Sequence, residues 1–330
     1  MQFEYIIDKR IAHRETQLLQ PRQMPDSFAR ETCLIRTRQS LAECVLSAVA
    51  LPTLRARKWW NDDPEHVALF PWADLVAPGE RWSKRASFSM LGNEMKNFPS
   101  DDVLVQGCGR GLGLTEYFLR RGAQRVTASD PIPLCSQWAS LNRQFDATYG
   151  RTVNFVQSSV EATQFADASF DIVSSEAVYE HVQSLERAVD ESYRILKPGG
   201  VVFHAIGPLY CTFGGDHCSG DITPGDGFNH LFLPDADYRA SVDVDSLYEN
   251  CSDPNCNFWA KNGLFSFART ADYLNQFGRM FSRRFVLVVV SEGALAFRRE
   301  FRQRWNELKE RGFSDGDLFA KSIYVCYRRE

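Results

Sequence analysis

Between residues 102 and 206, short apolar segments alternate with amphipathic ones. No other feature of this 330-residue chain limits its fold so strongly. Segments 103–105, 125–128, 153–157, 170–174 and 201–206 have the length and composition of buried strands. Segments 112–121, 133–149 and 185–196 read as helices. In the last of these, Leu185, Ala188, Val189, Ser192, Tyr193 and Leu196 share one face, and Lys197-Pro198-Gly199-Gly200 stops the helix. Strands joined through helices run parallel, because a short hairpin cannot return the chain to the same end of the sheet. The expected architecture is α/β, a mostly parallel sheet with helices on both faces. The rhythm resumes near the C-terminus, with a helix over 270–281, a strand over 283–290, a helix over 294–311 and a strand over 323–327, which makes seven strands. Phe297, Phe301, Trp305 and Leu308 form a stripe along the 294–311 helix, as expected for packing against the sheet.

The flanks lack this alternation. Residues 1–100 hold one clear helical pattern, 39–51, ending at Pro52, and form an expected helical N-terminal extension. Trp59, Trp60, Trp72 and Trp82 follow. They serve either as packing against the next domain or as part of a ligand pocket. Residues 101–206 make the core, 207–263 an insert rich in Gly, Asp, Asn and Pro, and 264–330 complete the sheet. A formal charge of −4 without basic blocks disfavours nonspecific nucleic-acid binding, and no run reaches the ~18 apolar residues of a membrane span. The start, MQFEYIIDKR, has no basic-then-apolar leader pattern, so a cytoplasmic location is expected. Nine cysteines, an odd count, fit reduced thiols better than a disulfide framework.

The first strand runs into VLVQGCGRGLG, residues 103–113. A dinucleotide fingerprint needs Gly-x-Gly-x-x-Gly/Ala. Starting at Gly107, Gly109 or Gly111, its last position falls on Leu112, Leu114 or Glu116, so every register fails. Gly107, Gly109 and Gly111 satisfy Gly-x-Gly-x-Gly instead, and Asp130 ends the second strand 19 residues after Gly111. A carboxylate there can accept both hydroxyls of a ribose lying across the strand ends.

Further on stand Phe170-Asp171-Ile172-Val173, Glu180-His181-Val182, Glu191 and Arg194 through Gly200. Together with Gly107-Cys108-Gly109-Arg110-Gly111 and Asp130, this string resembles class I S-adenosylmethionine-dependent methyltransferases of the methyltransferase 11 type. The resemblance covers 103–206, about a third of the chain. It implies a Rossmann-like seven-stranded sheet with S-adenosylmethionine as cofactor. By it, Gly107, Cys108, Gly109 and Gly111 pass under the methionine part, and Asp130 binds the ribose. Pro131, Ile132, Ser159 and Val160 lie by the adenine, and Ser175 and Glu176 by the methionine end and the acceptor. Two positions depart from the pattern: Val105 and Ser159 stand where relatives usually carry acids. The loop then holds S-adenosylmethionine more weakly, or Gln106 or Glu176 compensates for Val105, or the cofactor site survives only in a noncatalytic scaffold.

Glu180-His181 lacks the upstream carboxylate of a Glu-x-x-Glu-His metal motif, since Ala177 takes that place, and is read as a structural pair at the start of a helix. Cys251-x4-Cys256 approaches the paired spacing of a structural zinc site but Cys211-x6-Cys218 does not, so no metal is expected. The insert leaves the carboxyl end of the fifth strand, the edge where such sheets bind ligands. It carries Asp216, His217 and His230 among glycines and is read as a lid over a small-molecule acceptor. A hydroxyl acceptor needs a general base, and His217 and His230 are the candidates, with Asp216 as orienting group. The Asn/Asp-Pro-Pro-Tyr/Phe string of base-amino methyltransferases is absent after strand four, which disfavours a nucleic-acid substrate. Oligomeric state is left open.

Overall fold

The computed structural model describes residues 49, 69–78, 80–96, 100–109, 111–220, 223–242 and 263–330. The 39–51 helix, Trp59, Trp60, Arg110, Cys251 and Cys256 lie outside them, apart from Val49, which is helical. The strands are β1 (Leu75–Pro78), β2 (Asp102–Gln106), β3 (Arg125–Asp130), β4 (Val153–Gln157), β5 (Phe170–Glu176), β6 (Leu196–Ile206), β7 (Ser282–Val290) and β8 (Ala320–Arg328). They form one sheet in the order β1-β7-β8-β6-β5-β2-β3-β4. Only β8 runs antiparallel to its neighbours.

The sheet therefore has eight strands, one more than the seven expected. The extra one, β1, belongs to the supposedly helical N-terminal extension and pairs parallel with β7 from Leu75↔Leu287 to Pro78↔Val290. Four residues ending in proline are too few to show a period of two, and proline is tolerated because this is an edge strand. Asp74 fastens its start, accepting from the Val286 amide at 2.7 Å.

The alternation of side chains along the strands divides the core in two. Leu104, Val173 and Val202 face one layer with α4 (Leu185–Ile195) and α7 (Thr270–Met280). Val103, Val105, Ile172 and Phe203 face the other, with α1 (Glu80–Met95), α2 (Leu114–Arg120) and α3 (Cys135–Tyr149). Val105 is thus an ordinary core residue, 2% exposed. In the insert lie α5 (Asn229–Phe232) and α6 (Asp235–Val242).

Two other boundaries differ from the periodic reading. β6 begins at Leu196, so Lys197-Pro198-Gly199-Gly200 ends the helix and already belongs to the strand, with the Gly199 amide bonded to Arg329. The single 294–311 helix is two, α8 (Glu292–Glu300) and α9 (Arg302–Glu310), broken at Phe301 with φ −121° and ψ 51°. Phe297 and Trp305 still meet on the same ring, Phe228, at 4.9 and 6.0 Å. A final helix, α10 (Asp315–Phe319), leads into β8.

Candidate active site

β2 lies between β3 and β5, where the chain reverses its direction of travel across the sheet. In open α/β sheets the crevice beyond the carboxyl ends of such strands is where ligands bind. The glycine loop occupies that place. Gly107, Gly109, Gly111 and Gly113 have φ of 62°, 49°, 91° and 73°, a region that L side chains rarely adopt. Space separates their roles. A Cβ on Gly107 would strike Val178 at 2.2 Å, and one on Gly111 would strike Phe155 at 2.7 Å. One on Gly109 would meet nothing within 4 Å. The loop is closed by neighbours at Gly107 and Gly111 and open at Gly109.

Asp130 holds this loop from the next strand. Its carboxylate accepts from the Gly109 amide at 2.7 Å and from the Ile132 amide at 2.9 Å. It is 8% exposed, and burial raises its pKa against the lowering effect of the two amide bonds. The Cys108 amide donates to the Ser129 carbonyl at 3.0 Å, and Trp138 Nε1 donates to the Gly109 carbonyl at 2.8 Å. Trp138 stacks on Phe155 with ring centroids 5.2 Å apart. Sequence reasoning missed this brace, for which the one available signal was a tryptophan on the apolar face of α3 with Leu141 and Phe145.

Glu176, at the end of β5, faces the loop from the other side. A Cβ on Gly113 would lie 4.0 Å from Glu176 Oε2, while Oε1 is ion-paired with Lys84 of α1. Lys84, Glu176, Ala177, Ile206 and Ser322 line a cavity of about 360 Å³ at the ends of β5 and β6.

The insert places its polar residues in two groups. Asp216 is fully buried and accepts from the Cys218 and Ser219 amides, the Ser219 hydroxyl, and the Tyr238 hydroxyl at 2.7 Å. His230 lies 3.6 Å from it through Nδ1, and its Nε2 is 2.8 Å from the Tyr210 carbonyl. Burial pushes the His230 pKa down, against the pull of Asp216. Both side chains are internal and hold the insert together. His230 itself, with Tyr210, Leu233, Tyr238, Phe265 and Phe267, also lines a second cavity of about 240 Å³. Phe267 carries φ 53°, unusual for a bulky residue, and is 53% exposed.

His217 joins a different group. It also has positive φ, 66°, and its ring centroid is 5.0 Å from that of His181 and 5.7 Å from that of Phe265. Donor atoms of Glu180, His181 and His217 lie within 4.8 Å of one another, a set of the kind that can hold a metal ion. The pair read as purely structural thus gains a third member from the insert. Glu180 is fully buried, and burial pushes its carboxyl up to about 8. His181 Nδ1 lies 2.8 Å from the Leu264 carbonyl.

Residues 104–204 match the family model described as "Methyltransferase domain". This stretch is a methyltransferase domain. Among curated proteins the chain is similar to the mitochondrial ubiquinone biosynthesis O-methyltransferase of Rattus norvegicus, with 32% identity over 45% of this chain and 42% of that protein. It is also similar to the malonyl-[acyl-carrier protein] O-methyltransferase of Enterobacter lignolyticus, with 41% identity over 30% of this chain and 36% of that protein. The chain spans less than half the length of these relatives. A solved S-adenosylmethionine-dependent methyltransferase from Mesorhizobium loti matches 72% of this chain and 96% of its own, at 16% identity and a TM-score of 0.41.

Within the methyltransferase domain, much of the motif string is architecture. Lys197 bonds Asp102 at 2.7 Å and Asp171 at 2.9 Å, tying the starts of β2, β5 and β6 together. Glu191 accepts from the Thr163 amide at 2.7 Å and pairs with Arg194 at 2.7 Å. Three positions expected at the cofactor turn their side chains inward. The Ser175 hydroxyl is buried against His204 Nδ1 at 2.8 Å, Val160 is 7% exposed in the core, and Cys108 is buried with its thiol pKa raised by desolvation. Gln106 points across the sheet to the Tyr179 hydroxyl, 3.3 Å away, on the face opposite Val105. A period of two decides this, since neighbours on one strand cannot serve the same face. Ser159 Oγ accepts from the Glu161 amide at 3.3 Å, Pro131 is exposed, and Ile132 packs beside the loop. Among the described residues no helix is long and apolar enough to cross a membrane.

Proposed function

We propose that this protein transfers the methyl group of S-adenosylmethionine to a hydroxyl oxygen of a small organic acceptor. The observation that carries the reading is the placement of the glycine loop between two carboxylates, Asp130 and Glu176, with open space above Gly109. Asp130 receives the ribose hydroxyls through the lone pairs its amide bonds leave over. Ile132 lies along the adenine, and Glu176 receives the methionine ammonium group that Val105 cannot. The carbon–sulfur bond breaks as the carbon–oxygen bond forms, in line, and S-adenosylhomocysteine leaves. The cofactor brings its own leaving group, so the protein aligns the reactants and excludes water.

The acceptor's proton passes to His217, which sits where the insert meets His181 and Phe265. Phe265 also lines the aromatic cavity, which is bordered by His230 and suits a flat ring. A hydroxyl acceptor agrees with the O-methyltransferase relatives. Calorimetry with S-adenosylmethionine, S-adenosylhomocysteine and NAD tests the first half, with binding expected for the first two and none for NAD. Incubation with methyl-labelled S-adenosylmethionine and a panel of phenols, alcohols and amines tests the second. Label on amines alone overturns the hydroxyl assignment, and cofactor binding with no turnover on any acceptor returns the scaffold reading.

A further inference from the structure

The loop of this methyltransferase domain has no acid before its glycines, and Val105 cannot be reoriented because it is packed in the core. A charged pair stands nearby. Glu176 Oε2 lies 4.0 Å from where a Cβ on Gly113 would stand and Oε1 pairs with Lys84, so one carboxylate stands between the glycine loop and helix α1. Lys84 is held in place. Its ammonium is 5.9 Å from the Phe88 ring centroid, Phe88 stacks on Tyr117 at 4.8 Å, and the Tyr117 hydroxyl donates to the Phe88 carbonyl at 3.2 Å. Ala86 and Leu91 bury the same helix against the sheet. Both charged groups border the cavity at the ends of β5 and β6, and both are partly exposed, at 46% and 34%. A cation and an anion, fixed side by side on separate elements, match the two charges of an amino acid's α-carbon substituents.

We infer that Lys84 and Glu176 form a clamp for the amino-acid end of the cofactor, Lys84 taking the α-carboxylate and Glu176 the α-ammonium group. This rests on the cofactor site proposed above and extends it to the N-terminal region, where no motif pointed. The two residues exchange a partly solvated contact with each other for two with the ligand, and their separate elements set the spacing. Helix α1 then becomes part of the cofactor site.

The test is calorimetry on the full chain with two probes. S-adenosylhomocysteine has both charged groups, and 5′-methylthioadenosine has the same nucleoside and sulfur without the amino-acid end. Lys84→Met should weaken S-adenosylhomocysteine binding at least tenfold and leave 5′-methylthioadenosine within twofold of the unsubstituted protein. Lys84→Arg should restore most of the loss, and Glu176→Gln should repeat the pattern of Lys84→Met. Equal losses for both probes would mean that the pair only orders the site, and the clamp would fall. Unchanged S-adenosylhomocysteine binding in Lys84→Met would also overturn it. If the unsubstituted protein binds neither probe, the cofactor site itself is wrong, a failure distinct from that of the clamp.

Discussion

The Asp130 carboxylate accepts a hydrogen bond from the amide of Gly109 at 2.7 Å. The residue proposed to bind the ribose is thus also a brace of the glycine loop. Asp130→Ala should cost both, lowering affinity for S-adenosylhomocysteine at least tenfold, since each hydrogen bond to a charged acceptor is worth about 1.5–3 kcal/mol. Asp130→Asn should fall between, because its amide offers one acceptor oxygen where two backbone donors converge. Isothermal calorimetry reads both. An unchanged Kd in the alanine variant removes Asp130 from the site.

Gly109 and Gly111 should separate binding from folding. A Cβ on Gly109 enters open space at φ 49°, so Gly109→Ala should cost stability only through backbone strain, about 1–2 kcal/mol. Gly109→Val should lower cofactor affinity further, because its branches fill the space assigned to the ligand. Gly111→Ala drives a methyl into Phe155 and Leu141 and should show the larger drop in Tm. Thermal melts with and without S-adenosylhomocysteine distinguish the two.

The histidines of the insert should part company. His217→Ala should lower turnover on the order of 10²–10⁴-fold while sparing cofactor binding, and the loss should shrink at high pH, where the acceptor hydroxyl ionises unaided. His230→Ala removes a buried ring from the Asp216 group and should instead lower stability by roughly 1–3 kcal/mol. Similar turnover losses with unchanged Tm in both would restore His230 as a candidate base.

Glu180 should make stability depend on pH. Burial raises its carboxyl to about 8 in the fold, above its ordinary 4.5, so between those values the folded state holds a proton that the unfolded state has lost. Its stabilising contribution is therefore complete below about 4.5 and is lost as pH rises toward 8, by a few kcal/mol at most. Glu180→Gln cannot ionise, and its Tm advantage over the unsubstituted protein should grow from pH 5 to pH 8. An advantage that stays flat would show that a positive group, such as a cation held with His181 and His217, keeps Glu180 ionised.

The sequence by itself determined the central sheet, the glycine loop and Asp130. Strand and helix periods are local, and only glycine follows four positive-φ turns in seven residues without strain. It also marked Asp171, Glu191, Arg194 and Lys197, which form ion pairs, Lys197 with Asp171 between strands and Arg194 with Glu191 within α4. Tertiary structure alone decided the rest. β1 is too short for a period and exists because β7 offers its edge. Val105 and Gln106 sit on opposite faces, and Glu176, from another strand, stands beside the glycine loop at Gly113. Asp216 and His230 are buried together in the frame of the insert, with His230 also bordering a cavity, while His217 turns to the Glu180–His181 corner. Lys84, separated from Glu176 by 92 residues, carries no motif at all. Side-chain period and backbone conformation are properties of neighbouring residues and can be read along the chain. Which charges meet across a cleft depends on how distant elements pack, and that is settled only when the sheet and its helices close together.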